Sequence, residues 1–249
     1  MRKSTGCSSS AEPAAGMRSE SRSPPEPRIG PHMTLLTDIP DARLPDLFSD
    51  ALDEIYRLRA ASAYEATVLQ EHLTFKTFPQ PRRRYGEEQV QRMFDVARGH
   101  VERAYAGTSS LSLDHAAPEP RWGYLTADEW AAVQPLPQHP FRPRPVTDEE
   151  AEELSDDLRR AVNEIRQLRR GIAYEALVLR AHLSASFPRT RAAVLEVQAT
   201  RMLAAAAGNV EETYSGPLHL QLRGGLKAAG ASPVLTSDQW LSERPRRRG

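Results

Sequence analysis

The apolar positions Phe48, Leu52, Ile55, Ser62, Ala66, Leu69 and Leu73 follow a three-four spacing, with Arg59 standing in its one gap. That rhythm is a helical seam built to lie against another helix. It returns at Leu158, Val162, Ile165, Arg169, Ile172, Ala176, Leu179 and Leu183. Thr147 and Glu150 precede the second run with the spacing of a capping box, and Val146 and Ala151 are placed as its hydrophobic staple. Pro79 and Pro188 forbid continuation, so each run predicts a helix of about 30 residues, about 45 Å long. A shorter apolar run follows each. Val90, Phe94, Ala97, Val101 and Ala104, and then Ala199, Leu203, Ala206, Val210 and Thr213, predict second helices ending near Gly107 and Gly216. Long and short helices joined by a short loop should pack as an antiparallel hairpin.

The recurrence extends to residue identity. Residues 55–73 and 165–183 agree without a gap at Ile55, Leu58, Arg59, Ala63, Tyr64, Glu65, Ala66, Val68, Leu69, His72 and Leu73. Gln89, Arg92, Met93, Val101, Glu102, Tyr105 and Gly107 recur as Gln198, Arg201, Met202, Val210, Glu211, Tyr214 and Gly216. Leu125-Thr126 with Asp128 and Trp130 recurs as Leu235-Thr236 with Asp238 and Trp240. Two copies of one unit are therefore expected, each closed by a short capped helix carrying its Trp. The expected fold class is all-α: a tandem duplication of a two-helix antiparallel hairpin plus short terminal helix, forming a pseudo-twofold helical bundle. The expected organisation is a disordered tail over 1–40, repeat 1 over 41–132, a proline-rich linker over 133–146, repeat 2 over 147–243 and a basic tail over 244–249.

Each long helix has a second sticky face. Tyr64 and Val68, like Tyr174 and Val178, lie roughly 180° from the seam. That face should meet the Trp segment, a partner or, preferably, the sister copy, as in a fused homodimer. The expected interaction residues are Tyr64, Val68, Tyr174, Val178, Trp130 and Trp240. Arg59 and Arg169 on the seam need counter-charges, because an unpaired charge there is costly. Antiparallel register within each hairpin nominates Glu102 for Arg59 and Glu211 for Arg169.

Composition narrows the chemistry. The 249 residues balance 33 Lys plus Arg against 33 Asp plus Glu, which removes the uniform electrostatic footprint of a dedicated nucleic-acid or membrane-surface protein. Arginine and alanine abundance read as coding bias. One cysteine, Cys7, excludes an intramolecular disulfide, and no Cys/His spacing resembles a zinc site. No stretch approaches the roughly 20 apolar residues of a membrane span. A cytoplasmic location is expected.

No nucleophile motif or phosphate loop is present, so the chain is expected not to be an enzyme and to need no cofactor. Glu65 and His72, with Glu175 and His182, align two turns apart, but di-iron bundles space their ligands as Glu-x-x-His. The bland reading places each His opposite Gln89 or Gln198, and no metal is expected. Arg82, Arg83 and Arg84, with Arg246, Arg247 and Arg248, are possible nucleic-acid contacts. The leading expectation is a non-enzymatic cytoplasmic adaptor or regulatory module that binds a protein partner, or itself, through helix faces. A nucleic-acid accessory factor using the basic loop and tail is the alternative.

Overall fold

The computed structural model describes residues 40–74, 80–106, 126–134, 146–183, 189–230 and 240. Among them all regular structure is helical and no strand occurs. A 3₁₀ turn, Asp41–Arg43, leads into α1, Leu44–Leu73, and α2 follows over Gln80–Ala97. Then come α3, Val101–Ala104, and α4, Ala127–Val133. The second half holds α5, Asp148–Leu183, α6, Arg189–Ala204, α7, Val210–Thr213, and α8, Pro217–Ala228. No helix among the described residues is long and apolar enough to cross a membrane.

Local chemistry sets these boundaries. Glu129 N–H donates to Thr126 Oγ1 at 3.2 Å while the Glu129 carboxylate accepts from Thr126 N–H at 2.8 Å, completing the expected box at the start of α4. At the start of α5, Glu150 N–H donates to Thr147 Oγ1 at 3.3 Å. The matching Thr236 and Gln239 lie outside the described residues, as do 75–79 and 184–188 of the hairpin loops, 135–145 of the linker, and the tails over 1–39 and 244–249.

α2 packs on α1, α6 on α5, and α1 lies along α5. Asp41 and Leu44, at the start of α1, share one hollow with Asp148, Ala151 and Ser155 at the start of α5. The two long helices therefore run in the same direction. Ala51, Ile55 and Leu58 on α1, and Ala161, Ile165 and Leu168 on α5, are fully buried. Around them the order Glu54, Ile55, Leu58, Arg59 and the order Glu164, Ile165, Leu168, Arg169 place charged residues beside the apolar ones, as the flanking positions of a parallel coiled coil do.

Two expectations change. The second helix of each unit does not continue to Gly107 or Gly216. α2 stops at Ala97, where Gly99 adopts φ +87°. Gly99 N–H donates to Val96 O and His100 N–H to Asp95 O, both at 2.9 Å, the paired bonds of a Schellman ending. Glycine is required there twice over, since a Cβ would lie 2.5 Å from Arg59 Nη2. Gly208 does the same in the second half, at φ +100° beside Arg169. The other change is α8, a helix that the apolar spacing did not predict. Its Leu222 and Leu226, and Ala229 just beyond its end, are buried, and it packs on α1. A Cβ on Gly225 would stand 2.6 Å from the Tyr64 backbone nitrogen, so the helix approaches as closely as glycine allows.

Candidate functional site

The polar side chains concentrate where the two halves meet, in contacts that come in matched pairs. Arg59 Nε donates to Glu164 Oε1 at 3.0 Å, and Trp240 Nε1 donates to Glu164 Oε2 at 3.2 Å. Arg169 Nε donates to Glu54 Oε1 at 2.9 Å, and Trp130 Nε1 to Glu54 Oε2 at 2.8 Å. The seam arginines thus take partners from the opposite long helix, which corrects the assignment of Glu102 and Glu211. The reason is geometric: α2 and α6 end before those glutamates reach the seam, whereas Glu54 and Glu164 flank it directly. Glu102 is exposed, and Glu211 accepts instead from Arg57 Nη1 at 3.0 Å.

A second matched pair lies further along. Glu175 is 1% exposed, and Arg92 holds its carboxylate with Nε at 2.8 Å and Nη2 at 3.0 Å. The Tyr105 hydroxyl lies 3.1 Å from Glu175 Oε1 and 3.2 Å from the Gly171 carbonyl oxygen. Gln89 Nε2 donates to the Glu175 backbone carbonyl at 2.9 Å. In the other half, Arg201 grips the fully buried Glu65 at 2.9 and 3.0 Å. Tyr214 donates to Glu65 at 2.8 Å, and Gln198 to its carbonyl at 2.8 Å. Bidentate guanidinium contacts of this kind are the strong form of charge-assisted bond. Gln89 and Gln198 therefore serve backbone carbonyls of the other half.

Burial governs the titration of these groups. Removal from water pushes the Glu65 and Glu175 carboxyls upward, outweighing the pull of Arg201 and Arg92 and of the tyrosine hydroxyls. Burial and the adjacent glutamate push the Tyr105 and Tyr214 phenols well above their usual value, so both remain neutral donors. With its oxygens met by a guanidinium fork and a hydroxyl, each carboxylate acts as a clamp between halves. Among the described residues no group of three His, Cys, Asp or Glu side chains could hold a metal ion. His72 is half-buried, and the side chain of His182 lies outside the described residues.

The residues expected to face a partner are largely used inside. Trp130 is 0% and Trp240 6% exposed, which removes both from any outer surface. The Tyr64 ring meets Tyr214 edge-on at 6.1 Å, and Tyr174 meets Tyr105 at 5.7 Å. Arg201 and Arg92 lie over Tyr64 and Tyr174 at 5.8 and 5.9 Å. Val68 and Val178 are half-buried. Of the basic clusters, Arg84 is exposed and pairs with Glu88 at 3.1 Å, and Arg83 is half-buried. The Arg82 side chain and Arg246, Arg247 and Arg248 lie outside the described residues.

Sequence reading passed over Glu54 and Glu164, although extending the matched block by one residue would have included them. Arg92, Tyr105, Arg201 and Tyr214 were in the match without a role. Their recurrence with Glu65 and Glu175, one basic and one hydroxyl group per carboxylate, was the available signal. No family model, no curated protein and no solved structure matches the chain.

Proposed function

We propose that the chain is the fused equivalent of a homodimer: two copies of one helical hairpin paired about a pseudo-twofold axis between α1 and α5, acting as a non-enzymatic cytoplasmic docking scaffold for a protein partner. The duplication and its pairing are supported by contacts related by a shift of 109 or 110 positions. Arg59–Glu164 answers Arg169–Glu54, Arg92–Glu175 answers Arg201–Glu65, and the two Trp–Glu bonds answer each other.

One difference between the copies carries the docking reading. On the outer face of α2, Arg84 pairs with Glu88, Gln91 with Asp95, and Arg98 with Asp95. The positions 109 residues later on α6 and just beyond are Ala193, Val197, Thr200, Ala204 and Ala207, all uncharged. Val197, where the first copy has Glu88, is 55% exposed, whereas Val194, 49% exposed, answers Tyr85, which is 59% exposed. The first copy thus carries charged pairs where the second has Val197 and alanines beside the exposed Arg180–Glu196 pair, and exposed apolar positions rimmed by polar residues mark interaction surfaces. A photo-crosslinking side chain at Val197 should trap a partner protein in cells, and the same group at Glu88 should not. Equal trapping at both, or none at Val197, would remove the reading. Contact with nucleic acid through Arg84, which stands exposed on the first turns of α2 and not in the expected loop, is the competing reading, and it predicts retention on DNA or RNA that falls steeply with salt.

A further inference from the structure

Between the turn at Gly99–Arg103 and the outer face of α5 lies an open cleft of about 680 Å³. Its floor is the Arg59–Glu164 pair, whose carboxylate is also met by Trp240. Arg103, Arg159, Arg160 and His100 line its sides, and among the described residues Glu102 is the one carboxylate of the wall outside the floor pair. Among the described residues Arg159 and Arg160 pair within their own helix, with Asp156 at 3.0 Å and with Asp157 at 3.4 Å. The Arg159–Asp156 pair is exposed, and pairs of that spacing are weak enough to be exchanged for another carboxylate; Arg160 meets the buried Asp157 only at 3.4 Å and keeps its side chain 41% exposed.

Two matching positions in the other copy have the opposite sign: Asp50 stands where Arg160 does, and Glu212 where Arg103 does. Asp53 adds a charge where Asn163 has none, and Asp46, one turn earlier, extends the acidic face although its own counterpart, Asp156, is acidic too. Asp50 feels it: burial first, then repulsion from Asp46 and Asp53, raises its carboxyl pKa against the pull of Arg57 and Arg43. There too Arg57 spans to Glu211 at 3.0 Å. At the equivalent place in the cleft stands Gln167, which carries no charge to draw Glu102 across.

We infer that a second copy of this chain docks in the cleft, the Asp46–Asp50–Asp53 face of one molecule entering between Arg103 and Arg160 of the next. The inference rests on the matched-copy reading above, because that reading puts the acidic α1 face and the basic cleft at corresponding places on the two halves, with the sign reversed at Asp50/Arg160 and Glu212/Arg103. With 33 basic and 33 acidic residues the chain has no net charge to oppose association. A contact between two different faces leaves one of each unused, so the assembly closes into a ring or extends. Screening is nearly complete beyond about 10 Å at 0.1 M salt, so self-association belongs to low ionic strength.

Sedimentation velocity of the full chain tests this. In about 20 mM salt the protein should sediment as species larger than one chain, and in about 500 mM as one chain. An Arg103→Glu, Arg160→Glu variant and an Asp50→Asn, Asp53→Asn variant should each sediment as single chains in low salt. Mixed together they should form a one-to-one complex, because each keeps the face that the other lacks. A single-chain wild type in low salt, or a cleft variant that still assembles alone, overturns the inference. With helical content unchanged, that outcome leaves the internal pairing intact, since the pairing is measured by the coupling of Arg59 with Glu164 instead.

Discussion

Glu175 and Glu65 each sit in a place where two opposing effects can be ordered. The guanidinium fork and tyrosine hydroxyl favour the charged carboxylate, burial disfavours it, and burial wins. A carboxyl whose folded pKa lies above its ordinary 4.5 binds its proton more tightly folded than unfolded. Its stabilising contribution is therefore full below 4.5 and is lost as pH rises through the folded value. Urea unfolding across this window should show the wild type losing stability with rising pH relative to a Glu65→Gln, Glu175→Gln variant. A difference that grew with pH would mean the arginines outweigh desolvation. Breaking such a pair lowers stability at every pH, since it leaves Arg92 and Arg201 without their carboxylates. The slope is the informative quantity.

At the scale of elements, the long helices were legible because their seams repeat for many turns. Their partners were harder. Arg59 and Arg169 plainly needed counter-charges, but register arithmetic across a hairpin assumed an unbroken second helix. Gly99 and Gly208 break it, and neither was read as a stop, because apolar spacing continues through Val101 and Val210. α8 was missed because Leu218, Leu222 and Leu226 stand among glycines that argue against a helix. Gly225 is there for close approach to α1 rather than as a breaker. The turn at Gly99 yields its own expectation. Gly99→Ala forces a Cβ into the left-handed region and against the Arg59 guanidinium, and should cost about 1–3 kcal/mol in chemical denaturation. A cost below about 0.5 kcal/mol would show that the turn relaxes freely.

For the whole molecule, the all-α class followed from period alone, and recurrence pointed to two units. Which faces the units share did not follow, because each long helix is apolar on two sides and periodicity carries no information about direction. Parallel packing of α1 on α5 places Glu54 and Glu164 opposite the seam arginines and buries the Trp residues over them. That arrangement takes inward the aromatic side chains that looked ready for a partner. What differs between the copies, Val197 in place of Glu88 and the sign at Asp50/Arg160 and Glu212/Arg103, is the material on which the proposed recognition draws. The pairing of the halves is tested most directly by double-mutant cycles at Arg59. The account predicts a coupling of about 1–3 kcal/mol between Arg59→Ala and Glu164→Ala, with none between Arg59→Ala and Glu102→Ala. Coupling to Glu102 and none to Glu164 would contradict it, since the charge would then be met within one hairpin.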